Sequence, residues 1–226
     1  MGMLLVVDGS GVCRAPIVAF TLERRLAAVD AEVRTRGLEA EPGLPMCDGA
    51  ATRLGFTGPA IAFFGTHRSA RLTLDDVRDA DLVLTAERAH RSAVVRMLPG
   101  TQASVFTWKE AAVLADVLVE RRRIGLTSRP DDLAGLARAL HGVRGTVPLV
   151  EPPTRTGPFH WRKAVEVDPL SIGSGHDGRA EHARISRESA DVAAALGARL
   201  EAVFAEHAPA VRLEPAPTRR RLRRTA

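Results

Sequence analysis

Five consecutive apolar residues, Met3-Leu4-Leu5-Val6-Val7, open the hydrophobic pattern. An unbroken run of this length reads as a strand buried on both faces of a parallel sheet. The small residues Asp8-Gly9-Ser10-Gly11 follow as a loop, and Pro16 stands where a helix begins and its missing N–H is tolerated. Ile17, Val18, Phe20, Leu22, Leu26 and Val29 then recur at mostly helical spacing. The same reading predicts strands at 31–36, 81–85 and 103–106, and a helix at 88–98 stopped by Pro99-Gly100. Thr107-Trp108-Lys109-Glu110 has the form of a capping box opening another helix. Glu41-Pro42-Gly43-Leu44-Pro45 is loop by its punctuation, and the Ala-rich stretch 50–64 leans helical. Further helices are expected at 131–141 and, as a final amphipathic one, at 186–206. The proline-, threonine- and glycine-rich stretch 150–167 reads as a long loop.

Strands alternating with helices argue for an α/β, three-layer α/β/α architecture on a parallel sheet. At 226 residues, 45% hydrophobic and 26% charged, the composition is that of a water-soluble globular chain with a sizeable core. No apolar run approaches the about 20 residues that span a bilayer, and the start lacks the basic lead of a signal peptide. Membrane insertion is not expected, and a cytoplasmic location is. The formal charge is +5, but Thr-Arg-Arg-Arg-Leu-Arg-Arg-Thr at 218–225 supplies five arginines by itself. The remaining body is near neutral, which argues against a broad nucleic-acid surface.

The candidate chemistry lies where the first strand turns into a helix, because ligands in parallel sheets bind at the carboxyl ends of strands. Successive N–H groups of Gly9, Ser10, Gly11, Val12 and Cys13, with a helix N-terminus behind them, make an anion cradle. Arg14 adds a planar fork for phosphate oxygens. On the loop alone, an ordinary turn with Asp8 as a capping residue fits as well. Two cysteines, Cys13 and Cys47, make no disulfide framework and have no CxxC neighbour, so they read as small buried thiols and zinc is not indicated. His67, His90 and the other histidines show no metal-like spacing. No cofactor or metal is expected.

The run Val-Asp-Gly-Ser-Gly-Val-Cys-Arg-Ala-Pro at 7–16 resembles the phosphate loop of the low-molecular-weight protein tyrosine phosphatases of bacteria. That loop reads Cys-x5-Arg-Ser-Pro with an asparagine and a second cysteine inside. Gly65-Thr66-His67-Arg68-Ser69-Ala70-Arg71-Leu72 is similar to the family's HRSR-type segment, and residues 79–99 to its third strand and following helix. Val167-Asp168-Pro169 is similar to its Asp-Pro motif. The four occur in the family's order, across roughly residues 1–115 and 165–205. The resemblance implies a four-stranded parallel sheet and one domain over 1–207. Within it, 120–166 is an insertion or long loop, and 208–226 a basic, disordered tail.

It also implies roles. Arg14 becomes the phosphate clamp, Asp168 the general acid, and Asp8 stands at the position of the nucleophilic cysteine. A carboxylate with a pKa of about 4 is charged at neutral pH but attacks phosphorus poorly, and Asp8 is able to hydrogen-bond into its own cradle. Three departures weaken the site further. Ala15 replaces the serine that acidifies the nucleophile, Gly11 replaces the asparagine that braces the loop against His67, and Leu170 replaces the aromatic residue after Asp-Pro. The reading that follows is a pseudophosphatase that binds phosphate or a phosphorylated partner. A phosphotyrosine protein or a tyrosine kinase of surface-polysaccharide export is the partner class this implies. Two alternatives stand beside it: a divergent hydrolase of aryl phosphates working through Asp8, and a basic-tailed scaffold with a vestigial site.

Overall fold

The fold was obtained as a computed structural model, which describes residues 1–55, 58–146, 170–173 and 178–206. Four strands form one parallel sheet in the order β2-β1-β3-β4: β1 (Gly2–Asp8), β2 (Ala31–Gly37), β3 (Leu82–Thr85) and β4 (Val105–Thr107). The helices are α1 (Arg14–Arg25), α2 (Asp48–Leu54), α3 (Gly58–Thr66), α4 (Leu74–Asp79), α5 (Arg88–Met97), α6 (Trp108–Arg123), α7 (Leu133–Val143) and α8 (Arg179–Phe204). The parallel, helix-flanked sheet expected from the alternation is therefore the one observed.

The period of two along β1 divides the core. Leu4 and Val6 join Leu82, Leu84 and Phe106 under α1, α6, α7 and α8. Leu5 and Val7 join Val83 and Val105 on the other face, beneath Val77 of α4 and Val94 of α5. Trp108 is fully buried and its indole N–H donates to the Leu84 carbonyl at 3.0 Å, tying α6 to β3. Both halves of the capping box expected at Thr107 and Glu110 are present.

Two elements depart from the sequence reading. Helix α4 was not anticipated, because six residues are too few to show a period. Its signal is a second capping box, Thr73 with Asp76. Helix α8 begins at Arg179, ahead of the expected 186, because its first turns are polar and the apolar stripe starts only at Ile185. Helix α7, expected at 131–141 inside the stretch read as an insertion or long loop, is present and sends Leu133, Leu136, Leu140 and Val143 into the main core. This part of the stretch is a core layer of the fold. The expected loop at 150–167 and the arginine tail at 208–226 lie outside the described residues.

Candidate functional site

Strand β1 ends at Asp8, and the chain then turns through Gly9–Cys13 into α1 at the carboxyl edge of the sheet. The turn needs a left-handed residue, and Gly11 supplies it with φ of 72°. The end of β2 presses against it. A Cβ on Gly37 would fall 2.6 Å from the Ser10 carbonyl carbon and 2.8 Å from the Gly11 nitrogen, so only glycine fits there. Leu38 N–H donates to the Asp8 carbonyl and Glu39 N–H to the Gly9 carbonyl, fixing the loop along β2.

Asp8 has no solvent exposure, and its carboxylate lies inside the loop. Gly11 N–H donates to Oδ1 at 2.5 Å and Ala15 N–H donates to Oδ2 at 3.0 Å. Ala15 is the second residue of α1, whose N-cap Cys13 makes no side-chain cap. Asp8 therefore satisfies an orphan donor of the helix from the end of the preceding strand, and its charge meets the positive end of the helix. The carboxylate occupies the cradle as the sequence reading allowed.

Arg14 is 5% exposed, and one of its terminal nitrogens is taken up within the fold. Nη1 donates to Glu87 Oε1 at 2.6 Å and to the Ile172 carbonyl, while Nε lies 3.8 Å from Asp8 Oδ2. Glu87 was not singled out from the sequence. It stands just beyond β3, at the N-cap of α5, yet makes no cap hydrogen bond. A glutamate at that poor capping position, at the ligand-binding edge of a parallel sheet, is the signal that could have found it. The segment 170–173 crosses the same edge. Ile172 N–H donates to the Ala86 carbonyl, Arg88 N–H donates to Ser171 Oγ, and Lys109 Nζ reaches the Ser171 carbonyl. Asp168, the expected acid, lies outside the described residues.

His67 does not lack a partner. Although residue 11 has no side chain to brace it, the ring Nε2–H donates to the Gly11 carbonyl at 2.8 Å. Burial holds its pKa below the ordinary 6.5, against the opposing pull of that carbonyl and of Asp8. Burial also lowers that of His90. A histidine that resists protonation in the fold but not in the unfolded chain costs stability as pH falls. The urea midpoint is therefore expected to drop between about pH 7.5 and about pH 5.5, above the carboxylate range, and His67→Gln, which keeps an N–H donor, to flatten the slope.

The two cysteines correct the sequence reading. Cys13 Sγ and Cys47 Sγ lie 2.7 Å apart, and each is 3.4 Å from Nε2 of His182. Three potential ligands converge although their positions in the chain, 13, 47 and 182, carry no metal-like spacing. Cys47 is half-buried and its pKa is lowered to about 6, chiefly because the Cys13 thiol donates to its sulfur. The Cys13 thiol is pushed up by the same bond and by burial.

No protein-family model matches the chain. No curated protein matches it either. Solved structures do. The YwlE arginine phosphatase from Geobacillus stearothermophilus matches with a TM-score of 0.52 at 16% identity, over 88% of this chain and 93% of its own. The tyrosine phosphatase Wzb from Escherichia coli K30, in complex with sulphate, gives 0.53 at 14% identity over 88% and 97%. A low-molecular-weight phosphotyrosine phosphatase from Vibrio cholerae O395 gives 0.53 at 11% identity over 88% and 94%. The likeness is one of fold: this chain has the α/β fold of those phosphatases.

Proposed function

We propose that this chain is a pseudophosphatase: a protein on the low-molecular-weight phosphatase fold that does not turn over phosphate esters. The observation that carries the reading is the pair of internal carboxylates. Asp8 fills the loop with its own oxygens, and Glu87 holds one arm of the Arg14 guanidinium, Nη1. An incoming dianion meets Asp8 at short range, where two unit charges about 4 Å apart repel by about 4 kcal/mol at an effective dielectric of about 20. It must also share the Arg14 charge with Glu87, whose carboxylate lies 2.6 Å from Nη1. The site is thus closed by its own anions. A phosphorylated partner, such as a phosphotyrosine protein or a tyrosine kinase, would have to displace the Asp8 carboxylate from the loop in order to engage Arg14.

Reactivity points the same way. A carboxylate holding two N–H donors is a weaker nucleophile than a thiolate, and Ala15 offers no hydroxyl to assist it. The Cys13 thiol cannot replace it, since its sulfur faces Cys47 and His182. One observation favours the second reading, an active enzyme using Asp8: its oxygens sit inside the loop, where the family's nucleophile is expected.

Both readings are separated by aryl-phosphate hydrolysis of the full chain, with and without magnesium, beside Asp8→Cys and Asp8→Ala. The native chain is expected at background, indistinguishable from Asp8→Ala. Native turnover that disappears in Asp8→Ala, with phosphoryl found on Asp8 by mass spectrometry, rejects the pseudophosphatase.

A further inference from the structure

Cys13, Cys47 and His182 come from three separate elements: the residue before α1, the residue before α2, and the first turn of α8. We propose that they form a binding site for a borderline-soft divalent cation of the zinc type, with two thiolates and one imidazole as ligands and a fourth position open to water. The proposal is independent of whether Asp8 is catalytically silent.

The geometry carries it. Tetrahedral zinc with Zn–S of about 2.3 Å and Zn–N of about 2.0 Å sets sulfur and nitrogen roughly 3.5 Å apart. Both sulfurs already lie 3.4 Å from the same Nε2. The two sulfurs are closer, at 2.7 Å, than the roughly 3.8 Å of two thiolates on one such ion. Metal entry must therefore spread them by about 1 Å, which rotation of half-buried Cys47 about its χ1 supplies. Thiol protons are released as the ion binds.

A second observation concerns Gly49. The ring of His182 lies so close to α2 that a Cβ on Gly49 would fall 2.3 Å from its Cε1 and 2.6 Å from its Nδ1. An absent side chain thus lets the Cε1–Nδ1 edge of the ring press against the helix while Nε2 lies within 3.4 Å of both sulfurs. A thiol pair destined only for a disulfide needs neither an imidazole equidistant from both sulfurs nor a glycine beneath it. The donor set of two thiolates and one imidazole selects zinc, cadmium or cobalt over magnesium and calcium. Three protein ligands with one position free is the pattern of an exchangeable site. A bound ion would join the phosphate-loop end of α1 to the starts of α2 and α8.

The test is titration of the reduced, chelator-treated full chain with cobalt(II), followed by displacement with zinc. Thiolate-to-cobalt charge transfer and the intense visible bands of a tetrahedral site are expected, saturating at one ion per chain. His182→Ala is expected to weaken binding more than about tenfold. Gly49→Ala keeps all three donor residues and favours the helix, and it is expected to weaken binding in the same direction by pushing the His182 ring away, with urea unfolding showing the variant folded. Absence of thiolate bands in the native chain overturns the proposal. So does a cobalt spectrum and affinity unchanged in both variants, or oxidation of the two thiols to a disulfide at saturating zinc.

Discussion

Replacing Arg14 with methionine is expected to destabilise the fold by about 3–5 kcal/mol, the usual cost of stripping one partner from a buried ion pair. The guanidinium faces Asp8, which has no exposure, and Glu87, and donates to the Ile172 carbonyl. Its removal leaves two carboxylates close together at the edge of the core with no cation between them. An exposed pair such as Arg123 with Glu120 contributes far less, because water screens it. Urea unfolding followed through the fluorescence of buried Trp108 measures the loss. A triple variant, Arg14→Met with Asp8→Asn and Glu87→Gln, removes all three charges and is expected to recover much of it. If Arg14 were reserved for an external phosphate, its loss would be close to neutral. A change below about 1 kcal/mol would refute the self-closed site.

Asp8→Ala is expected to turn a phosphate-indifferent protein into a phosphate-dependent one. The carboxylate is the acceptor for Gly11 N–H and Ala15 N–H, and each buried donor left without a partner costs about 1–3 kcal/mol. Without Asp8 the loop presents those donors to solvent beside Arg14, which is the equipment of an anion receptor. Inorganic phosphate then binds the folded state and stabilises it by about 2.7 kcal/mol at a hundred times its Kd. Thermal melts in phosphate, against chloride at matched ionic strength, should show a rise in Tm for Asp8→Ala and none for the native chain. Equal stabilisation of both would mean that the native cradle is already open, and the closure by Asp8 would be wrong.

These two variants act on groups of unequal legibility in the sequence. The loop 8–14, its place at a strand end and the readiness of Asp8 to bond to nearby N–H groups were all readable, because the donors to Asp8 lie three and seven residues ahead of it. Glu87 was not. It meets Arg14 only because β3 lies next to β1 in the sheet, and neither strand's own pattern states that adjacency. Ile172 reaches Arg14 from still farther along the chain. The contact that His67 does make was not legible for a related reason: a backbone carbonyl can serve as acceptor whatever the side chain at position 11. Cys13, Cys47 and His182 were each read as isolated groups, since metal motifs are recognised by close spacing and these are joined only through space.

The chain by itself determined its strands, most of its helices, the parallel α/β class and the position of the turn from β1 into α1, because periodicity, capping and glycine geometry act between residues a few positions apart. The tertiary structure alone decided that Arg14 is held by Glu87 and that two thiols face one imidazole. Those contacts depend on which strands neighbour each other and on how α2 and α8 dock against the start of α1. Docking is fixed by burial of apolar faces, which is indifferent to the polar residues it happens to bring together.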